Sequence, residues 1–122
     1  MLRLGSVVLG VSDVPRAVRF WTEALEYVPR GDIEQNWAVL EPSNGQGAHI
    51  GLMLSETPVQ EHPRIHLDLY ADDAADQTAQ AERLVSLGAR HVDWDLYPDD
   101  PDFIVLEDPD GNRFCIVDTS HG

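Results

Sequence analysis

The most informative segment of this sequence is Val105-Leu106-Glu107-Asp108-Pro109-Asp110-Gly111-Asn112-Arg113-Phe114-Cys115-Ile116-Val117. It reads as two antiparallel strands joined by a tight turn. Pro109 fixes φ at the first central position of the turn, and Gly111 can adopt the positive φ that closes it. Because side chains alternate along a strand, Phe114 and Ile116 should pack on one face of the hairpin while Cys115 points to the other.

The residues before this hairpin predict a strand, a helix and another strand. Residues 65–70 alternate strictly between apolar and polar side chains, which is typical of a half-buried strand. Asp72 or Asp73 can cap the helix that follows, and Gly88 can end it as a C′ residue. Residues 90–97 then read as a further strand leading into an acidic loop.

The first half of the chain has the same order of elements. Residues 2–11 read as a strand, and Asp13 offers the N-cap of an amphipathic helix that ends near residues 27–29. Two strands follow, at 37–41 and 49–54. The first half therefore contains a strand, a helix and a hairpin, as the second half does.

Corresponding positions in the two halves are evenly spaced. When the two helix caps are superposed, Ser6 falls on His66, and residues 39–41 fall on 105–107 at a similar offset. Each of these short segments is followed by a proline turn. The sequence therefore predicts a duplication of about 60 residues, giving two βαβββ modules. Because one helix cannot cover a core alone, both modules are needed to close it.

Length and charge narrow the classes of function. The 122 residues predict a single domain, with one module at about residues 1–57 and the other at about 63–119. The net charge is −14, and every basic residue is an arginine. Such a charge disfavours nucleic acid and anionic membrane surfaces as partners. The lack of lysine excludes Schiff-base chemistry and a P-loop.

Cysteine content and hydropathy predict a cytoplasmic protein. Cys115 is the only cysteine, so no intrachain disulfide can form, which is typical of a reducing compartment. The N-terminus lacks the basic and then apolar pattern of a signal peptide. No apolar run approaches the roughly 18 residues that a membrane span requires.

Several motifs together carry a family resemblance. They are Val11-Ser12-Asp13 and Phe20-Trp21 in the first half, with Ile65-His66-Leu67-Asp68-Leu69, Leu87-Gly88-Ala89 and residues 107–117 in the second. The chain resembles the glyoxalase-like branch of the vicinal oxygen chelate superfamily, which includes glyoxalase I, extradiol dioxygenases and bleomycin-binding proteins. The resemblance implies an α+β fold in which two βαβββ modules form a curled mixed sheet around a cleft, with the helices outside. It also implies a homodimer.

The resemblance further implies four inward positions that hold a divalent metal ion in metal-dependent members. In this sequence those positions are Ser6, Gly51, His66 and Cys115. Only His66 is a good ligand, since Gly51 has no side chain, neutral Ser6 is a poor donor and Cys115 would have to ionise. We therefore expect no metal cofactor, and this puts glyoxalase I and dioxygenase activity in doubt.

A rearranged metal site is the alternative. His49 lies two residues before Gly51 and should share its face of the strand. His49, His66 and Cys115 could then converge on a divalent ion, with Glu41 or Glu107 completing the set. Because a cysteine ligand favours soft ions, zinc would suit such a site.

Polar side chains of the second half provide the best candidates for ligand contact. His66, Asp68 and Tyr70 share one strand face, and His66 can act as a general acid or base near neutral pH, or be a hydrogen-bonded core residue. Trp94 and Tyr97 precede the acidic loop and could form a cleft wall. The full set of predicted ligand-binding residues is Ser6, His49, Gly51, His66, Asp68, Tyr70, Trp94, Tyr97 and Cys115.

Three functions are compatible with these features. The first is a binding protein that takes a small organic molecule, for which the acidic charge favours a cation. The second is an enzyme, either a metal-independent lyase or isomerase that uses His66 with Asp68 or Tyr70, or a metal enzyme with the rearranged set. The third is a regulatory domain, for which the sequence gives no positive sign.

Overall fold

The structure, a computed structural model, describes residues 1–122. The chain divides into two compact units, Met1–Pro58 and Val59–Gly122, which we call the first and second modules. The first contains β1 (Ser6–Val11), α1 (Val14–Leu25), β2 (Tyr27–Pro29), β3 (Trp37–Pro42) and β4 (His49–Leu54). The second contains β5 (Asp68–Ala71), α2 (Ala74–Ser86), β6 (Arg90–His91), β7 (Phe103–Glu107) and β8 (Arg113–Asp118). The predicted α+β class with two βαβββ modules is confirmed.

Each module has one four-stranded mixed sheet. The strand order is β1-β4-β3-β2 in the first module and β5-β8-β7-β6 in the second. β1 runs parallel to β4, and β5 runs parallel to β8. The remaining neighbours are antiparallel. A parallel pair needs a long crossover, and in each module this crossover contains the helix.

The core of the first module forms beneath α1. The Asp13 side chain accepts a hydrogen bond from the Arg16 amide at 3.1 Å, which confirms the predicted cap. Trp21 is 1% exposed and belongs to the core, as the helical spacing indicated. The helix ends at Glu26, whose φ is 56°, and residues 27–29 form a short strand instead of the predicted helix end.

The second module repeats the arrangement with a less apolar helix. The Asp73 side chain accepts a hydrogen bond from the Asp76 amide at 2.8 Å, and Gly88 follows the helix with a φ of +119°. Ala81 and Leu84 are the buried residues of α2. Val85, on the same helix, is 38% exposed.

Two predicted strands of the second module are shorter than expected. β5 begins at Asp68, so residues 65–67 lie before it, and pairing starts where the Cys115 amide donates to the Leu67 carbonyl at 2.9 Å. β6 covers residues 90–91 and not 90–97. The chain leaves the sheet there because the Trp94 amide donates to the Val92 carbonyl at 2.9 Å, which closes a tight turn.

The hairpin of β7 and β8 has a longer loop than predicted. Glu107 pairs with Arg113, so residues 108–112 form the connection. Gly111 has a φ of +91°, which confirms the predicted positive φ. The Asp108 carboxylate is fully buried and accepts hydrogen bonds from the Asp110 and Asn112 amides, both at 2.9 Å. This side chain organises the loop.

No helix in either module combines the length and apolar character needed to cross a bilayer.

Candidate functional site

The second module contains a pocket of about 540 Å³. This volume lies within the range of roughly 300–1,000 Å³ that small-molecule sites occupy. The pocket is lined by His66, Asp68, Tyr70, Trp94, Leu96, Asp102, Phe103, Cys115 and Val117. The structure therefore brings together five of the predicted ligand-binding residues in one cavity.

The parallel pairing of β5 with β8 places four of these side chains on one sheet face. Asp68 lies opposite Cys115, and Tyr70 lies opposite Val117 two residues further along. Since side chains alternate along a strand, all four point away from the face on which Ile116 is buried. The sheet thus provides a rigid floor for the pocket.

Three potential ligand atoms meet at this floor. One side-chain donor atom each from His66, Asp68 and Cys115 lies within 4.8 Å of the other two. Cys115 is buried, whereas the other two side chains are exposed. Of these three, the sequence predicted His66 and Cys115 as candidate metal ligands, and Asp68 as a ligand contact or a catalytic partner of His66.

Cys115 is held as a neutral thiol. Burial raises the pKa of Cys115 to about 11, and the Asp68 carboxylate adds to the shift through its charge and a hydrogen bond with the thiol. A thiol with this pKa carries almost no thiolate at neutral pH. Cys115 is therefore not an activated nucleophile in the metal-free chain.

His66 is oriented by a backbone carbonyl. Its Nε2 lies 2.8 Å from the Pro63 oxygen. Because a carbonyl can only accept a hydrogen bond, Nε2 is the donor, and Nδ1 takes no part in this bond. The ring also meets Trp94 edge to face at a centroid distance of 6.4 Å. His66 thus has one nitrogen engaged and the other available as an acceptor.

The Trp94 wall of the pocket is held by residues that sequence reasoning missed. The His62 ring lies 5.2 Å from the Trp94 ring, and the Arg113 guanidinium carbon lies 5.9 Å from it. His62 also pairs with Asp95 at 2.7 Å, and this hydrogen bond holds the pKa of Asp95 below its usual range. No sequence signal indicates this contact, since the two partners are far apart in the chain.

Tyr97 supports the pocket without lining it. Its hydroxyl accepts a hydrogen bond from the Val105 amide at 2.8 Å, and its ring lies 5.3 Å from that of Phe103. Phe103 is the residue that reaches the cavity. Strand alternation puts Val117 on the same face as Cys115, two residues further along, so this signal could have identified Val117 as a lining residue.

The remaining predicted site residues lie in the first module. Ser6 is exposed on β1, opposite His49 on β4. The His49 Nε2 lies 3.8 Å from a carboxylate oxygen of Glu41, so this histidine has an acidic neighbour within its own sheet.

Gly51 is the least suited of the four positions that the family resemblance implies for a metal. A Cβ atom there would lie 3.0 Å from the Trp37 ring and 3.0 Å from a Val8 methyl group. The space that a ligand side chain needs is thus filled by the indole. With a neutral serine at position 6 as well, Ser6, Gly51, His66 and Cys115 do not fit an octahedral metal ion.

Comparison with known proteins agrees with this architecture. The model of the family described as "Glyoxalase-like domain" matches residues 6–117, and the chain belongs to this family. No curated protein matches the sequence significantly.

Solved structures share the fold at low sequence identity. A possible glyoxalase from Bacillus cereus is 17% identical with a TM-score of 0.72, covering 96% of this chain and 99% of that one. A glyoxalase/bleomycin resistance protein/dioxygenase family enzyme from Burkholderia phytofirmans is also 17% identical, with a TM-score of 0.73 and coverage of 94% and 97%. A lactoylglutathione lyase from Agrobacterium tumefaciens is 16% identical, with a TM-score of 0.64 and coverage of 98% and 95%.

Proposed function

We propose that this glyoxalase-like protein binds a small organic cation in the pocket of its second module. The observation that supports this is the chemistry of the lining, which combines the carboxylates of Asp68 and Asp102 with aromatic rings and contains neither arginine nor lysine. The aromatic rings are those of Tyr70, Trp94 and Phe103. Carboxylates and aromatic faces are the two groups that recognise organic ammonium ions.

Electrostatics favour a cation at this position over a neutral or anionic molecule. A charge about 4 Å from a carboxylate gains roughly 1 kcal/mol in water and about 4 kcal/mol near a protein surface. An aromatic face adds about 0.5–1 kcal/mol at an exposed site. The net charge of −14 also raises the local concentration of cations. An anion would meet repulsion from every one of these sources.

Three probes that share one ring but differ in charge test the proposal. Benzylamine, benzyl alcohol and benzoate are titrated by calorimetry into protein held in a chelator. We expect benzylammonium to bind about fivefold or more tightly than benzyl alcohol, since this ratio corresponds to roughly 1 kcal/mol. Benzoate should show no binding. A preference for benzoate, or equal binding of all three, would refute the proposal.

Variants assign the effect to the pocket. Asp68→Asn should weaken benzylammonium binding about fivefold and leave benzyl alcohol binding unchanged, because the amide keeps the shape and removes the charge. Glu82→Gln on α2 also removes one negative charge, but from an exposed residue outside the lining, so it is the matched control. If both variants weaken binding equally, the effect is one of net charge and not of the pocket.

Proton transfer by His66 is a second candidate function. His66 lines the pocket, and because its Nε2 is engaged by the Pro63 carbonyl, Nδ1 is the nitrogen that would act as the base. A lyase or isomerase could use this nitrogen without a metal. The test is solvent deuterium incorporation into small ketones, which His66→Gln should abolish. His91→Gln, at an exposed histidine outside the pocket lining, should leave it unchanged. Incorporation that survives His66→Gln would refute this role.

A further inference from the structure

We propose that His66, Asp68 and Cys115 bind one soft divalent metal ion, such as zinc, within the second module alone. The proposal goes beyond organic-cation binding and does not rest on it. The observation that supports it is the convergence of an imidazole nitrogen, a carboxylate oxygen and the only sulfur of a cysteine within 4.8 Å of one another.

The backbone brings these residues together by two independent routes. Asp68 and Cys115 lie directly opposite each other in the parallel pairing of β5 with β8. His66 lies two residues before Asp68, and it faces the same pocket. Cys115 and Asp68 are therefore neighbouring donors on one face of the sheet.

The distances are close to those that zinc requires. Zinc lies about 2.0–2.3 Å from nitrogen, oxygen and sulfur ligands, so tetrahedral ligands are roughly 3.5 Å apart. Since the three donor atoms lie within 4.8 Å of one another, each pair needs to approach by at most about 1.3 Å. His66 and Asp68 are exposed and can rotate, while buried Cys115 provides the fixed point.

The hydrogen bond of His66 prepares the ring for coordination. Histidine ligands of metals almost always donate their other ring N–H to a carboxylate or a backbone carbonyl. His66 does so through Nε2, which lies 2.8 Å from the Pro63 oxygen. Nδ1 then carries the lone pair that an ion needs.

The kinds of donor select the ion. Thiolate favours soft ions, whereas magnesium and calcium require several oxygen ligands, and Asp68 is the only oxygen donor of the three. Three protein ligands leave one position for water, as in catalytic zinc sites. On binding, the S–H bond of Cys115 breaks, its electron pair forms the bond to the ion, and the proton passes to solvent. No oxidant or reductant is involved.

This set differs from the one that the family resemblance implies. It uses no residue of the first module, and Asp68 is not one of the four implied positions. The side-chain space at Gly51, which belongs to the implied set, is filled by Trp37.

Cobalt(II) is the probe that tests the site directly. The full-length protein is treated with a chelator, desalted and titrated with Co²⁺ alone, under anaerobic conditions. We expect one equivalent per chain and a near-ultraviolet absorption band from thiolate-to-cobalt charge transfer. Because Cys115 is the only cysteine, this band in the unaltered protein identifies the ligand without any variant. Added Zn²⁺ should displace cobalt and abolish the band.

Variants then test each ligand. Cys115→Ser should abolish the band, and Asp68→Asn and His66→Gln should each weaken Co²⁺ binding at least about tenfold. The matched controls are His121→Gln and Asp100→Asn. These residues form another histidine–aspartate pair in the same module, at 3.1 Å and outside the pocket lining, and their loss should leave binding unchanged.

Two results would overturn the metal site: stoichiometric cobalt without a charge-transfer band, or no binding at micromolar concentrations. Neither affects the organic-cation proposal, whose calorimetry is performed in a chelator. Conversely, a protein that binds cobalt through Cys115 and ignores benzylammonium would support the metal site alone.

Discussion

The two modules differ on the sheet face beside their parallel strand pair. Side chains fill this face in the first module, whereas in the second module it forms the floor of the pocket. Where β1 meets β4, Val8 lies opposite Gly51, and the Trp37 ring occupies the space beside Gly51. Where β5 meets β8, Asp68 lies opposite Cys115, and both face the pocket. The strand pairing is parallel in each case, so the backbone does not account for the difference.

The residues on β3 and β7 explain why the sheet face of the first module is filled and that of the second is not. Val39 of β3 pairs with Gly51, as Val105 of β7 pairs with Cys115. The strands β3 and β7 begin with Trp37 and Phe103, which therefore hold corresponding places. A glycine leaves room that the Trp37 indole can occupy, whereas a cysteine side chain at the corresponding place leaves Phe103 at the pocket edge.

This difference shows how a duplicated fold can concentrate its chemistry in one half. A small residue lets an aromatic ring fill the middle of the first sheet face, where Val8, Gly51 and Trp37 meet, and the polar side chains of Ser6 and His49 lie at its end. The other face keeps a carboxylate and a thiol side by side. Variants of the residues that differ between the two modules test this explanation.

The largest expected effect concerns the hairpin loops next to the two faces. Asp108→Ala should lower the free energy of unfolding by about 2–4 kcal/mol, because the buried carboxylate accepts two amide hydrogen bonds. In the first module, exposed Asn44 accepts one such bond, from the Gln46 amide at 2.9 Å. Asn44→Ala should cost only about 0.5–1 kcal/mol. Urea unfolding measures both.

Asp108→Asn is the control for the first effect, since its amide oxygen can still accept the hydrogen bonds. It should recover most of the loss seen with Asp108→Ala. If Asp108→Ala and Asn44→Ala cost the same, burial of the loop carboxylate does not stabilise the second hairpin more than the first.

The elements that local signals determine could be predicted from the sequence. Asp13 was predicted as the cap of the first helix, and Asp73 as one of two candidates for the cap of the second. The reason is local, since a carboxylate at the N-cap can accept a hydrogen bond from the amide three residues later. The positive φ of Gly111 followed from turn chemistry alone. These signals, with the repeat, were sufficient for the βαβββ modules.

The features that could not be predicted depend on contacts between distant residues. An aspartate in a turn ordinarily suggests solvent exposure, so the burial of Asp108 was missed. The position of Trp37 over Gly51 depends on how an indole rotates over a neighbouring strand, and strand alternation does not determine this. The support of Trp94 by His62 likewise requires two loops to meet.

The next effect tests why the first face is closed. Gly51→Leu should destabilise the protein by about 1–3 kcal/mol, because the new side chain must displace the Trp37 ring and a Val8 methyl group. Gly5→Leu is the matched control, since no heavy atom lies within 4 Å of a Cβ placed there, and its effect should stay within about 0.5 kcal/mol.

Removal of the indole should relieve the overpacking at Gly51. The double variant Gly51→Leu with Trp37→Ala should therefore be less destabilised than the sum of the two single variants, which a double-mutant cycle by thermal unfolding measures. Strict additivity would mean that Trp37 does not close this face.

The smallest effect concerns the ends of the two parallel pairs. Leu54 ends β4 opposite Val11, whereas Asp118 ends β8 opposite Ala71 and is 6% exposed. The Ser120 hydroxyl donates to the Asp118 carboxylate at 2.7 Å, and this hydrogen bond lowers the pKa of Asp118. A carboxyl group whose pKa is lowered in the folded state stabilises the fold at pH values above its ordinary pKa of about 3.9. This stabilisation is lost as the pH falls through the lower pKa of the folded state.

Asp118→Asn should therefore lower the melting temperature at pH 7, and the difference from the unaltered protein should narrow as the pH falls below about 4. Ser120→Ala should shift the carboxyl titration of Asp118 upward, as NMR can measure, because it removes the hydroxyl that favours the charged form. Asp99→Asn, at an exposed carboxylate, is the control and should not show the same dependence on pH. A gap between Asp118→Asn and the unaltered protein that stays constant from pH 7 to pH 3 would show that this end of β8 is stabilised by shape and not by charge.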